Sequence, residues 1–152
     1  RYGEKYNFHA SCIRPFNIYG PRQTGEGAIS NFCKAAINKT PLTIYGDGSA
    51  IRSWCYVNDV INAVELILQT PQSKGHTFNI GNPDETVTTN DLAQRFLSIV
   101  PSIKIEHRKI ERSEVFVRIP IIEKAQKILG YSPKVDLNQG LRNTLNWFMN
   151  QS

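Results

Sequence analysis

The chain has 152 residues, 40% of them hydrophobic and 20% charged, with a formal net charge of +5 at pH 7. That length supports one domain with its own core, and the composition is ordinary for a globular protein. No apolar run approaches the roughly 20 residues of a membrane span, and the basic residues are scattered, with no Lys/Arg run of three on which to rest a nucleic-acid reading.

Arg1 is not an initiator, and Tyr2 to Phe8 reads as the end of a helix, so the chain is expected to be a piece of a longer protein. His9 to Ile13 alternates as a strand should and is expected to stop at Arg14-Pro15, because proline cannot donate to a ladder. A polar loop at Gln23 to Gly27 precedes a helix built on Ile29, Phe32, Cys33, Ala36 and Ile37. Leu42 to Tyr45 predicts a short strand, closed by the turn Gly46-Asp47-Gly48. Val57, Val60, Ile61, Val64, Leu66, Ile67 and Leu68 predict a strongly apolar helix with Asn58 or Asp59 near its start. Thr77 to Ile80 reads as a strand closed by Gly81. Thr88 or Thr89 caps the next helix, and Thr88 and Asp91 have the spacing of a capping box; that helix buries Leu92, Ala93, Phe96 and Leu97. Ile103 and Ile105 predict an edge strand. Ile122 to Leu129 is a short helix ended by Gly130, and Asp136 or Gln139 caps a last helix carrying Leu141, Leu145, Trp147 and Phe148.

Cys12, Cys33 and Cys55 form no paired framework and are expected to be buried free thiols in a reducing cytoplasm. His9, His76 and His107 lie far apart and predict no metal site. The run Leu42 to Val60 carries the most chemistry: a β-rich segment, a Gly-Asp-Gly turn, a lone Arg52 and then aromatic residues. A guanidinium beside a tyrosine and a tight turn suits a flat base next to a phosphate; the plainer reading is a β-turn with a surface arginine.

Other segments in order carry a resemblance. Arg14-Pro15-Phe16-Asn17-Ile18-Tyr19-Gly20-Pro21-Arg22 comes first, and Phe78-Asn79-Ile80-Gly81-Asn82 follows the Arg52 region. Val117-Arg118-Ile119-Pro120, Lys124-Ala125 and Leu129-Gly130-Tyr131-Ser132-Pro133 complete the series. Together they resemble the C-terminal half of the extended short-chain dehydrogenase/reductase family, which contains the NAD-dependent nucleotide-sugar epimerases, dehydratases and decarboxylases. The resemblance runs from about Tyr2 to Phe148. It implies an α/β fold: the C-terminal strands of a Rossmann-type parallel sheet plus a small α+β substrate-binding lobe, with residues 1–152 as the C-terminal part of an epimerase/dehydratase domain.

The resemblance also implies roles. Pro15 and Phe16 lie against the nicotinamide end of NAD, and Asn17 contacts the substrate diphosphate, unless Asn17 merely satisfies its own backbone. Asn31, in Ser30-Asn31-Phe32 at a helix opening, contacts the nucleotide, unless Ser30 simply caps that helix. Thr43 and Tyr45 lie beside the uracil, Arg52 and Arg118 grip the diphosphate, and Glu114 binds the ribose hydroxyls. The family usually has Asp where Ile121 and Ser53 stand here, changes that could loosen helix caps. No GxGxxG is present, and Tyr2 and Lys5 are only three apart where the catalytic Tyr and Lys are four apart, so no catalytic residue is assigned. The expected ligands are NAD, held mainly by an N-terminal half outside this chain, and a UDP- or dTDP-sugar. The whole protein is expected to be a cytoplasmic homodimer acting through transient C4 oxidation, and neither nucleic acid nor membrane is an expected partner. The rival is a degenerate or free-standing module that binds a nucleotide sugar without catalysis.

Overall fold

The computed structural model describes residues 2–6, 8–25, 27–109 and 115–151, without the side chains of residues 2 and 4. In chain order the elements are α1 (Tyr2–Tyr6), β1 (Cys12–Pro15), β2 (Ile18–Tyr19), α2 (Ala28–Asn38), β3 (Leu42–Tyr45), β4 (Ile51–Ser53), β5 (Cys55–Tyr56) and α3 (Val57–Gln69). After a 3₁₀ turn at Pro71–Ser73 come β6 (Thr77–Ile80), β7 (Thr86–Thr88), α4 (Thr89–Ile99), β8 (Ile105–Arg108), β9 (Val117–Arg118), α5 (Glu123–Leu129) and α6 (Leu137–Met149).

Two layers result, as the sequence predicts. In the first, β1 and β6 pair in parallel, Cys12 opposite Thr77 and Pro15 opposite Ile80. The crossover between them carries α3, as a parallel connection requires. Phe78 and Ile80 point from β6 into a core with Ala63 and Ile67 of α3 and Ala125 and Leu129 of α5. The second layer is the lobe. There β3 pairs in parallel with β8, and β4 lies between antiparallel β7 and parallel β9. Its core joins Ile29, Phe32 and Cys33 of α2, Leu42 and Ile44 of β3, Leu92 and Phe96 of α4, and Leu137 and Leu141 of α6. Full burial of each such side chain contributes about 1.5–3 kcal/mol.

The local signals hold where the partner is near in sequence. Thr88 accepts from the Asp91 N–H, and the Asp91 carboxylate returns to the Thr88 N–H, so the capping box forms. Asp136 accepts from the Gln139 N–H at 3.0 Å. Gly130 ends α5 with φ 67°.

Several expectations shift. The first strand runs over residues 12–15 rather than 9–13. It stops at Pro15 as expected, and the Phe16 N–H makes a last bond to the Ile80 carbonyl at 2.9 Å. All four residues of β1 are exposed, Cys12 among them, which corrects the expectation of three buried thiols. Burial pushes the Cys33 and Cys55 thiols up to about 12. Asp59 lies in the first turn of α3, as expected, but its buried carboxylate accepts the backbone N–H groups of Lys134 at 2.9 Å and Val135 at 3.3 Å. Ile61, Val64 and Leu68 leave an exposed apolar stripe on α3 rather than reaching a core. Ile103 lies outside β8, which begins at Ile105. Helix α5 has Ile122 at its N-cap and no side-chain cap.

Tyr19 is buried in an aromatic group with Trp54 and Tyr56, at ring-centroid distances of 6.4 and 5.6 Å. Its hydroxyl lies where a Cβ on Gly140 would stand, so α6 approaches β2 only because residue 140 has no side chain. Gly140→Ala sets two effects against each other: about 1 kcal/mol of helix propensity gained and about 1–3 kcal/mol of overpacking against a rigid ring. Overpacking is expected to win. Urea unfolding should show net destabilisation of about 1 kcal/mol or more, and a stabilised variant would show that the ring moves aside freely.

Candidate functional site

The C-terminal ends of β1 and β6 face the same way because the pair is parallel, and ligands of open α/β sheets bind outside such ends. Pro15 and Phe16 stand there. A Cβ on Gly81, at the end of β6, would press on Pro120 and would lie 3.2 Å from the Phe16 side chain, so a glycine keeps this corner closely packed. The dinucleotide that the fold class implies meets a partial fit. The chain offers backbone and an aromatic ring at a sheet end, which suits the nicotinamide end, but it carries no glycine-rich turn to cradle a pyrophosphate.

Asn17 follows with φ 42°, a left-handed conformation that asparagine tolerates better than most residues. Its side-chain amide donates to the Ser53 carbonyl at 2.8 Å, and its own carbonyl accepts the Cys55 N–H at 3.2 Å. The side chain is thus committed to β4, not to its own backbone.

Arg52 and Arg118 occupy paired positions on the parallel strands β4 and β9. Paired residues of a ladder share a face, so the two arginines lie on one face of this sheet. Arg52 Nη1 donates to the carbonyls of Ile51 at 2.8 Å and Phe116 at 3.1 Å. Arg118 is exposed, within a run of exposed apolar residues from Val115 to Ile121 that is interrupted by buried Pro120. Glu114 lies outside the described residues.

Asn31, Thr43 and Tyr45 come together in one cleft of about 250 Å³, with Lys34, Asn38, Thr40 and Pro41. Tyr45 presents its ring to solvent, 55% exposed. Lys34 went unnoticed in the sequence; it lies three positions beyond Asn31 on the same helix face, a spacing that could have revealed it. Ser30 does not open α2. The helix begins at Ala28, Gly27 is its N-cap without a side-chain cap, and the Asn31 N–H is already bonded to the Gly27 carbonyl at 2.9 Å. Asn31 therefore offers the cleft its side chain and not a free backbone donor.

The Gly46 to Ser49 turn joins the cleft to β4 and is fixed from both sides. Asp47 accepts the Ser49 N–H at 2.9 Å, while Asn90 of α4 donates from its side chain to the Asp47 carbonyl at 2.9 Å. Gly46 and Gly48 both have φ 75°, and a Cβ on Gly48 would collide with the Asn90 side chain.

The comparisons with known proteins bear on family and fold. The model of the NAD dependent epimerase/dehydratase family matches residues 1–81, and the chain belongs to that family. It is 38% identical over 138 residues to UDP-glucuronic acid decarboxylase 4 of Arabidopsis thaliana, covering 89% of this chain and 30% of that protein. The UDP-glucuronic acid 4-epimerase of Bacillus cereus, solved with UDP-glucuronic acid and NAD, superposes with a TM-score of 0.89 at 29% identity, over 99% of this chain and 48% of that one. The UDP-glucose 4-epimerase of Thermotoga maritima, solved with UDP-glucose, gives 0.89 at 29% identity, over 99% and 49%. The chain thus spans under a third of that curated relative and about half of these solved structures, and its fold is the corresponding part of a Rossmann-type enzyme of extended short-chain dehydrogenase/reductase type.

Thr43 also donates its hydroxyl to Glu106 at 2.8 Å, and Arg108 pairs with the same carboxylate at 2.6 Å. The Thr43 hydrogen bond, and then Arg108, hold the Glu106 carboxyl below the usual carboxylate range. A pKa depressed on folding gives stability that is present above the unfolded value and lost as pH falls through the folded one. In Thr43→Val the Glu106 midpoint, read by NMR titration, should therefore rise toward the ordinary value, and the acid limb of stability should shift to higher pH. An unmoved midpoint would show that the hydroxyl does not govern this carboxylate.

Proposed function

We propose that this chain is the nucleotide-sugar-binding part of an NAD-dependent epimerase, dehydratase or decarboxylase acting on a UDP- or dTDP-sugar. The observation that supports the reading is the placement of Arg52 and Arg118 at paired positions of neighbouring strands, which sets two arginines on one face of the sheet. Two planar forks of donors match the oxygens of a diphosphate better than ammonium groups would.

In this reading the base and sugar ends divide between the two features of the site. Tyr45 offers the base a ring face, and Asn31 and Thr43 line the same cleft. Glu114 takes the ribose hydroxyls. Asn17 stands between the arginine strand and the sheet end, while Pro15 and Phe16 border the nicotinamide. NAD, when bound, supplies the hydride acceptor for transient oxidation of the sugar. The chain's own residues contribute binding and orientation, since no Tyr and Lys four apart are available to move the proton at the sugar hydroxyl. Proton transfer and the grip on the NAD pyrophosphate fall to an N-terminal half, so the 152 residues alone are expected to be inactive; with that half the enzyme is expected to work as a homodimer.

Removing a charged hydrogen-bonding group costs about 1.5–3 kcal/mol. Arg52→Ala should therefore weaken UDP binding by about 10- to 150-fold in calorimetric titration, with the thermal unfolding midpoint little changed. Unaltered UDP affinity in that variant would refute the assignment of the diphosphate to this strand pair.

A further inference from the structure

Ser53 is fully buried, and three segments of chain meet at it. Its hydroxyl donates to the carbonyl of Asn82, just beyond β6, at 2.5 Å. Its carbonyl accepts the Asn17 amide, just beyond β1, at 2.8 Å. The Asn82 loop is itself held, because its side chain accepts the Asp84 N–H at 3.1 Å. The two ends of the parallel pair are thus tied to one residue of the lobe.

Side chains alternate across a strand. With Ser53 fixed to the inner face of β4, Arg52 is turned to the outer face, which it shares with Arg118 of β9. A buried hydroxyl can donate here, whereas a carboxylate could only accept and would face the Asn82 carbonyl. Serine at this position is therefore matched to the loop it meets, and the usual family Asp would not be.

We propose that Ser53 is a positioning residue: it touches no ligand, and it acts on anion binding by fixing the direction in which β4 presents Arg52. The inference rests on the reading of Arg52 as a diphosphate ligand, given above. It separates the hydroxyl's part in binding from its part in stability, because a hydroxyl that only holds the fold together would act the same whether or not Arg52 is present.

The test is a double-mutant cycle on the chain, with UDP as the probe and calorimetry as the readout, alongside the thermal unfolding midpoint of each variant. Ser53→Ala should weaken UDP binding about fivefold in the parent and cause no further loss in the Arg52→Ala background. An unchanged affinity in Ser53→Ala, or an equal loss in both backgrounds, overturns the inference while leaving the reading of Arg52 intact. An Arg52→Ala variant that binds UDP like the parent overturns both. Should Ser53→Ala fail to fold, Ser53→Cys, which keeps a side chain of similar shape but replaces the hydroxyl by a weak donor, carries the same cycle with the same outcomes.

Discussion

Strand β4 is the constraint on which the rest of the structure depends. It is three residues long, yet it pairs antiparallel with β7 and parallel with β9, and its last residue is bonded to the ends of both strands of the first layer. Through β4, the sheet end that borders a dinucleotide in this class of fold is held at a fixed distance from the arginines of the lobe.

That constraint carries a cost. At the strand spacing of about 5 Å, two unit charges of one sign repel by about 0.8 kcal/mol in water, and by more where water is excluded. Arg52 offsets part of this by donating to the carbonyls of Ile51 and Phe116. Arg118 and its neighbours Val117 and Ile119 are exposed, so the pair lies at an open surface. The left-handed backbone of Asn17 is a second local cost near the same place, where strained conformations are commonly retained for function.

What the sequence made legible follows from the range of the interactions. The Thr88–Asp91 box, the Asp136 cap and the glycine ending α5 were readable because each is settled within four residues. Leu42–Tyr45 and Thr77–Ile80 were readable because β-rich runs are closed there by glycine turns. The strand at Val117–Arg118 was not, since its partner lies 66 positions earlier and a two-residue strand has no period to detect. The exposure of Cys12 was hidden because the alternation of residues 9–13 implies a buried face, whereas β1 is paired on one edge only among the described residues. Asp59 looked like a helix-start residue; its real partners are N–H groups 75 and 76 positions away. Ser53 appeared only as a departure from a family pattern, and its place between Asn17 and Asn82 is a product of tertiary structure. The co-location of Asn31, Thr43 and Tyr45 was legible only through resemblance, because α2 and β3 are adjacent in sequence but no periodicity says which faces meet.

A crystal structure of the chain with UDP tests the central claim most directly. The diphosphate should lie between the guanidinium groups of Arg52 and Arg118, with Arg52 released from the Phe116 carbonyl and the uracil against Tyr45. A nucleotide seated elsewhere, with Arg52 still bonded to that carbonyl, would contradict the assignment of this strand pair as the diphosphate site.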